Sequence, residues 1–188
     1  MSAQATEKCF DFNHPITSAL KDPIPLKKNK KDALASGANK EKDFYWGGVR
    51  GMVDKPLAQI YTQLLDHFTI KDRSRVKLRI YDQPREGFDK YHLVMVSLET
   101  MLATVDWEEQ WGYTITEGTP AAPKALLISY QKSDGSKYIP HMCGSIVLKE
   151  ASANSTDVFL YEEINALGKR SPEDTVKGHI GTLAALRK

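Results

Sequence analysis

Glu109 stands between two tryptophans in Thr104-Val-Asp-Trp-Glu-Glu-Gln-Trp-Gly-Tyr-Thr-Ile-Thr116, where Val105, Trp107, Trp111, Tyr113 and Ile115 alternate with mostly polar neighbours. Residues two apart in an extended chain share a face, so this carboxylate falls on the side that should be buried. Glu162 repeats the violation, in phase with Val158, Leu160 and Ile164. A carboxylate in an apolar interior must be paired, hydrogen-bonded or protonated, because an isolated buried charge is strongly unfavourable. Arg79, His92, His141 and Tyr130 are the candidate partners on neighbouring strands. Three roles are open to such a glutamate. It is a structural ion pair or a residue at an exposed strand end; or it anchors the polar end of an amphipathic ligand; or it is a general acid or base whose pKa is raised by desolvation beside the indoles.

The remaining reactive residues carry weaker signals. His14, His67, His92, His141 and His179 form no His-x-x-x-His pair, and Cys9 and Cys143 lack any metal-ligand or Cys-x-x-Cys spacing. A metal site would have to be assembled entirely by the fold, and neither a metal nor a cofactor is expected. The cysteines are two free thiols or one long-range disulfide. Ala3-Gln4-Ala5 has the small-x-small form of a signal-peptidase site without a basic or apolar region before it. A mature form would be periplasmic or secreted, where a Cys9–Cys143 bridge is reasonable; otherwise the chain is cytoplasmic. Gly47-Gly48-x-x-Gly51 matches neither a dinucleotide fingerprint nor a P-loop and reads as strand glycines. Ser145, in Cys143-Gly-Ser-Ile146, is no nucleophile elbow. Asn154-Ser-Thr156 fits a glycosylation sequon and, first of all, a turn.

At 188 residues, 41% of them hydrophobic and 27% charged, the chain is one domain's worth of ordinary soluble protein. No apolar run approaches the roughly 20 residues that span a bilayer. A net charge of +2 with no basic stripe interleaved with aromatics argues against nucleic acid.

The elements that must position Glu109 and Glu162 follow from periodicity. Residues 1–42 contain Pro15, Pro23, Pro25 and the run Lys27-Lys-Asn-Lys-Lys31, and are expected to form an irregular tail or a strapped-on arm. The lysine run is solvated or docks on an acidic head group or partner, which is compatible with transient membrane contact. Residues 43–188 are the expected domain. Phe44 to Val53 is a strand. Asp54 and Pro56 then start an amphipathic helix bearing Leu57, Ile60, Tyr61, Leu64, Leu65 and Phe68, and Lys71-Asp-Arg-Ser-Arg75 is a short helical turn or a loop. Six strands follow, through Val76–Ile80, Tyr91–Leu98, Ala103–Thr116, Ala125–Gln131, Tyr138–Lys149 and Val158–Ile164. Gly118–Pro123, Ser133–Ser136 and Ala153–Ser155 punctuate them. Asn165–Arg170 turns the chain into a last helix that opens on Ser171-Pro-Glu-Asp174, with Val176, Ile180, Leu183 and Leu186 as its core stripe. Sequential strands make an antiparallel sheet, and only the two helices can cover it.

This order resembles the START-like, or helix-grip, superfamily, to which lipid-binding START domains and polyketide cyclases belong. The resemblance covers about Phe44 to Lys188. It rests on Met52-Val-Asp-Lys-Pro-Leu57, on Gly144–Lys149 and Asp157–Tyr161, and on the final Leu183-Ala-Ala-Leu186. It implies an α+β fold in which a curved seven-stranded antiparallel sheet wraps a long C-terminal helix, with one or two short helices after the first strand. It further implies an internal cavity for a lipid or other hydrophobic small molecule, which the protein binds or transports. Trp107, Glu109, Trp111, Tyr113, Tyr130, Met142 and Glu162 would line it. Gly178 and Gly181, three apart in the last helix, leave a concave strip that either makes room for the ligand or lets the helix pack closely. The alternatives are a cyclase or hydratase using Glu109 or Glu162 with a histidine, and a partner-binding module whose cavity is closed.

Overall fold

The computed structural model describes residues 8–21, 24–25, 31–70, 75–101, 103–166 and 171–188. The expectations for Ala3–Ala5, Lys27–Lys30, Lys71–Ser74 and the corner 167–170 lie outside these residues. The elements run β1 Asp32–Asn39, β2 Phe44–Val53, α1 Leu57–Leu65, a 3-10 turn His67–Thr69, β3 Val76–Asp82, β4 Lys90–Glu99, β5 Thr104–Thr119, β6 Ala122–Gly135, β7 His141–Ser152, β8 Ser155–Asn165 and α2 Pro172–Leu186. The strands form one sheet in the order β1-β2-β8-β7-β6-β5-β4-β3, antiparallel throughout.

The expected seven strands are therefore eight. The additional one, β1, lies in the segment expected to be irregular. Its sequence, Asp-Ala-Leu-Ala-Ser-Gly-Ala-Asn, lacks the β-branched and aromatic residues that mark strands. Small residues are needed there, because a methyl group on Gly37 would meet the Trp46 ring of β2 at 2.7 Å. Asp32 also fastens β1 to the end of α2, accepting from Arg187 Nη2 at 2.6 Å.

Alternation in the strands divides the core in two. The concave face presents Val94, Val96, Trp107, Trp111, Tyr113, Leu126, Ile128, Tyr130, Ile146, Leu148, Val158 and Leu160, and α1 closes it with Leu57, Ile60 and Leu64, none more than 2% exposed. At about 25 cal/mol per Å² of apolar surface removed from water, this larger cluster drives the fold. Helix α2 has 15 residues and rests mainly on β2, with β1 and β8, at one end of the sheet. It comes close because Gly47 and Gly51 of β2 bear no side chain against Thr175, Val176 and Leu183, so these are strand glycines.

The convex face is covered by residues 9–21 and by Ile24. Phe10, Phe12 and Ile16 are buried against Tyr91, Leu127 and Cys143. Gln131 accepts from Phe10 N and donates to Phe10 O, both at 3.0 Å, and Ser145 Oγ accepts from Leu20 N at 3.1 Å. Lys21 Nζ sits 3.4 Å from the centre of the Trp46 ring. A disulfide joins Cys9 to Cys143. Among the described residues, no helix is long and apolar enough to cross a membrane.

Candidate functional site

The antiparallel register carries the concave face across the strands. Glu109 of β5 lies opposite Val94 and Lys132, Trp111 opposite His92 and Tyr130, and Tyr130 in turn opposite Gly144, which faces Glu162. Glu109 is fully buried. Its Oε1 accepts from Trp107 Nε1 at 2.6 Å and its Oε2 from Trp111 Nε1 at 2.8 Å. The flanking indoles are thus donors to the carboxylate, and charge-assisted bonds of this kind are the stronger ones. Such a partnership was open to sequence reading, since indole is an N–H donor and both rings share the glutamate's face. Of the four expected partners, Tyr130 bonds the other glutamate, Glu162, whereas Arg79 is exposed on β3, His92 faces His67, and His141 sits on the convex side beside Glu163.

Tyr130 stacks on Trp111 with ring centres 4.3 Å apart and planes 11° from parallel. Its hydroxyl donates to Glu162 Oε2 at 3.2 Å. Burial, and then the negative charges of Glu162 and Glu109, push the Tyr130 phenol well above its usual range, so it stays a neutral donor. A side chain on Gly144 would overlap this ring, which explains a glycine inside a central strand.

A second polar group adjoins the first. His67 Nε2 and His92 Nδ1 lie 2.9 Å apart, and the Tyr113 hydroxyl is 3.4 Å from each. The His67 ring meets Trp111 edge-on at 4.6 Å. His67 reaches this position from the 3-10 turn after α1, which Asp66 starts by accepting from Phe68 N at 3.0 Å. Burial, then the nearby Lys90, lower the His92 pKa, which favours the neutral imidazole at His92. Lys132, buried and opposite Glu109, has its ammonium pKa lowered by burial. Sequence reasoning missed His67 and Lys132. His67 sits in a helical turn with no strand alternation to assign its face, and Lys132 lies past a register shift in the β5–β6 pairing.

Of the expected site residues, Trp107, Glu109, Trp111, Tyr113, Tyr130 and Met142 are gathered and buried, and Glu162 is half-buried at their margin. Gly178 and Gly181 are a correction. Both are exposed, and a methyl group on either would meet nothing within 4 Å. The buried stripe of α2 is Thr175, Val176, His179, Thr182, Leu183 and Leu186. Two threonines and a histidine hid that phase, and Ile180, expected in the core, is 42% exposed. Four clefts among the described residues lie outside the middle of the concave cluster, two of them touching its margin at Val96 and at Ile164. The two largest, about 780 and 600 Å³, follow the β3–β4 connection from Asp82 to Tyr91 and the groove around Leu78, Met95 and Asp106.

No family model matches the sequence, and no curated protein matches it significantly. Solved structures do. The lipid transfer and protein localization domain of human StarD13 superposes with a TM-score of 0.59 at 11% identity, covering 89% of this chain and 88% of that one. A STAR-related lipid transfer protein from Xanthomonas axonopodis gives 0.57 at 13% identity, with 86% and 94% covered. The Zhui aromatase/cyclase from Streptomyces gives 0.54 at 15% identity, with 77% and 92% covered. At such identities the likeness is one of fold. With the eight-stranded curved sheet, α1 behind its second strand and α2 at its end, the chain has the START-like helix-grip fold.

Proposed function

We propose that the concave face binds the polar end of an amphipathic, lipid-like molecule, with Glu109 and Lys132 as its anchors. The supporting observation is Glu109 itself, a fully buried carboxylate held by two indole donors inside an apolar cluster. A well-packed apolar residue would serve stability as well or better at such a place, whereas ligand pockets combine apolar walls with a few placed polar groups. The fold is shared with proteins described as lipid transfer domains, which agrees with this class of ligand. Entry requires α1 and the His67–Thr69 turn to move off the sheet, since Leu57, Ile60 and Leu64 fill the face.

That same filling favours a second reading, a partner-binding module with a closed interior. Tryptophan fluorescence separates the two. Titration with a fatty acid, a lysophospholipid and a sterol is expected to give one-to-one saturation by at least one of them, weakened about tenfold or more by Glu109→Gln, which equals about 1.4 kcal/mol. Absence of saturation with all three sinks the ligand reading and leaves the closed module.

A further inference from the structure

A second cluster, on the convex face, takes no part in the proposed ligand site. His141 and Cys143 are two apart on β7 and share that face, and Glu163 lies opposite Cys143 on β8. The N-terminal arm brings in Cys9. His141 Nε2 is 3.5 Å from Cys143 Sγ, 3.9 Å from Cys9 Sγ and 3.6 Å from Glu163 Oε2, and Cys143 Sγ is 3.9 Å from Glu163 Oε2. All four ligand atoms lie within 4.8 Å of one another. A tetrahedral zinc ion with Zn–S of about 2.3 Å, Zn–N of about 2.0–2.1 Å and Zn–O of about 2.0–2.2 Å requires ligand-to-ligand edges of about 3.4–3.8 Å. The side chains already stand near those separations. The sulfur–sulfur edge differs, because Cys9 and Cys143 are joined as a disulfide, and the Cys9–Glu163 edge lies within 4.8 Å.

We propose that Cys9, His141, Cys143 and Glu163 form a zinc site when the cysteines are reduced, the disulfide being the metal-free alternative of the same cluster. The surroundings suit a metal. Tyr161 Oη donates to Glu163 Oε1 at 2.8 Å, which orients the carboxylate and leaves Oε2 toward the sulfurs. Phe44 stacks on the His141 ring at 5.0 Å and 22°, fixing its plane. Outer contacts of this kind orient ligands in known metal sites. The side chains of His141 and Glu163 are 14% and 19% exposed, which leaves the ion a way in. The residues were unremarkable in sequence because the four ligands come from the arm, β7 and β8; the fold assembles what spacing does not, and this revises the expectation of no metal.

The interconversion balances with a dithiol as reductant. The Cys9–Cys143 bond breaks, the dithiol closes to its own disulfide, and two electrons and two protons pass to the cysteines. Zinc then displaces both thiol protons to water, giving two thiolates, a neutral imidazole and a carboxylate around the ion, with a net charge of −1. In either state the arm stays fastened to β7.

The test uses the full chain, reduced with a phosphine, desalted and offered zinc, with native mass spectrometry and cobalt(II) spectra as readouts. One ion per reduced chain is expected, with the thiolate charge-transfer and visible bands of tetrahedral cobalt, and none on the disulfide form. His141→Ala and Glu163→Gln should each weaken zinc binding at least about tenfold, and Tyr161→Phe by about 10–100-fold. Lack of stoichiometric zinc on the reduced wild type, or equal affinity in His141→Ala and Glu163→Gln, overturns the proposal. If reduction abolishes the near-UV circular dichroism, zinc must restore it in the wild type and not in Cys9→Ser; failure to do so overturns it equally.

Discussion

The two faces of one sheet are closed in different ways. On the concave side, α1 lays an apolar stripe over alternating aromatic and aliphatic strand residues, and polar groups are buried among them. On the convex side, an arm without regular structure is pinned at points: a disulfide at Cys9, a reciprocal pair of bonds at Phe10, a serine beneath Leu20 and a cation over Trp46. Apolar packing stabilises in proportion to area, and the concave cluster is larger than that around Phe10, Phe12 and Ile16, whereas the disulfide acts chiefly by restricting the unfolded chain. The concave side should therefore dominate stability, and the convex side should be separable from ligand binding.

Truncation of the concave packing should have the largest effect. Trp111, 1% exposed, bonds Glu109 and stacks on Tyr130. Trp111→Ala is expected to lower the unfolding free energy by about 3–5 kcal/mol in urea titrations; a loss under about 1 kcal/mol would contradict the concave core as described. Opening the Cys9–Cys143 bond by Cys9→Ala comes next, at about 2–5 kcal/mol for a bridge spanning so much chain. Hydrogen exchange should then rise in the arm and along β7, while amphiphile binding is unchanged. Loss of that binding would join the two faces functionally and break the comparison.

The buried histidine pair sharpens it further through pH. Because burial and Lys90 lower the His92 pKa, the unfolded chain binds more protons than the folded one as pH falls through the unfolded value of about 6.5. Stability contributed by neutral His92 is thus present above that value and declines below it until the folded pKa is reached. Thermal melts across pH 8 to 5 should slope downward, and His92→Asn should flatten the slope. The smallest effect belongs to α2. With Gly178 and Gly181 facing open space, Gly178→Ala and Gly181→Ala should each stabilise by about 0.5–1 kcal/mol, and destabilisation by either would place a neighbour against that face.

What the sequence revealed follows the same division. Strict alternation through Trp107, Glu109, Trp111 and Tyr113 assigned the concave face, and the spacing of Leu57, Ile60 and Leu64 assigned the helix that covers it, because period and burial coincide there. Legibility failed where they part. Strand β1 is made of small residues that accommodate Trp46, and α2 buries Thr175, His179 and Thr182 while exposing Ile180. The arm carries its anchors singly in a proline-containing stretch, and no local period marks Phe10, Phe12 and Ile16 as core. The proposed zinc cluster is the extreme case, since Cys9 and Cys143 stand 134 positions apart in the chain and meet only through the fold.

Glu109 between its two indoles is the centre of this account, and native mass spectrometry of the protein purified from its own source tests it most directly. The expected result is a wild-type chain carrying a co-purified amphiphile at one per chain, with Glu109→Gln purified in the same way largely bare. A bare wild-type chain, or an amphiphile retained equally by Glu109→Gln, would contradict it.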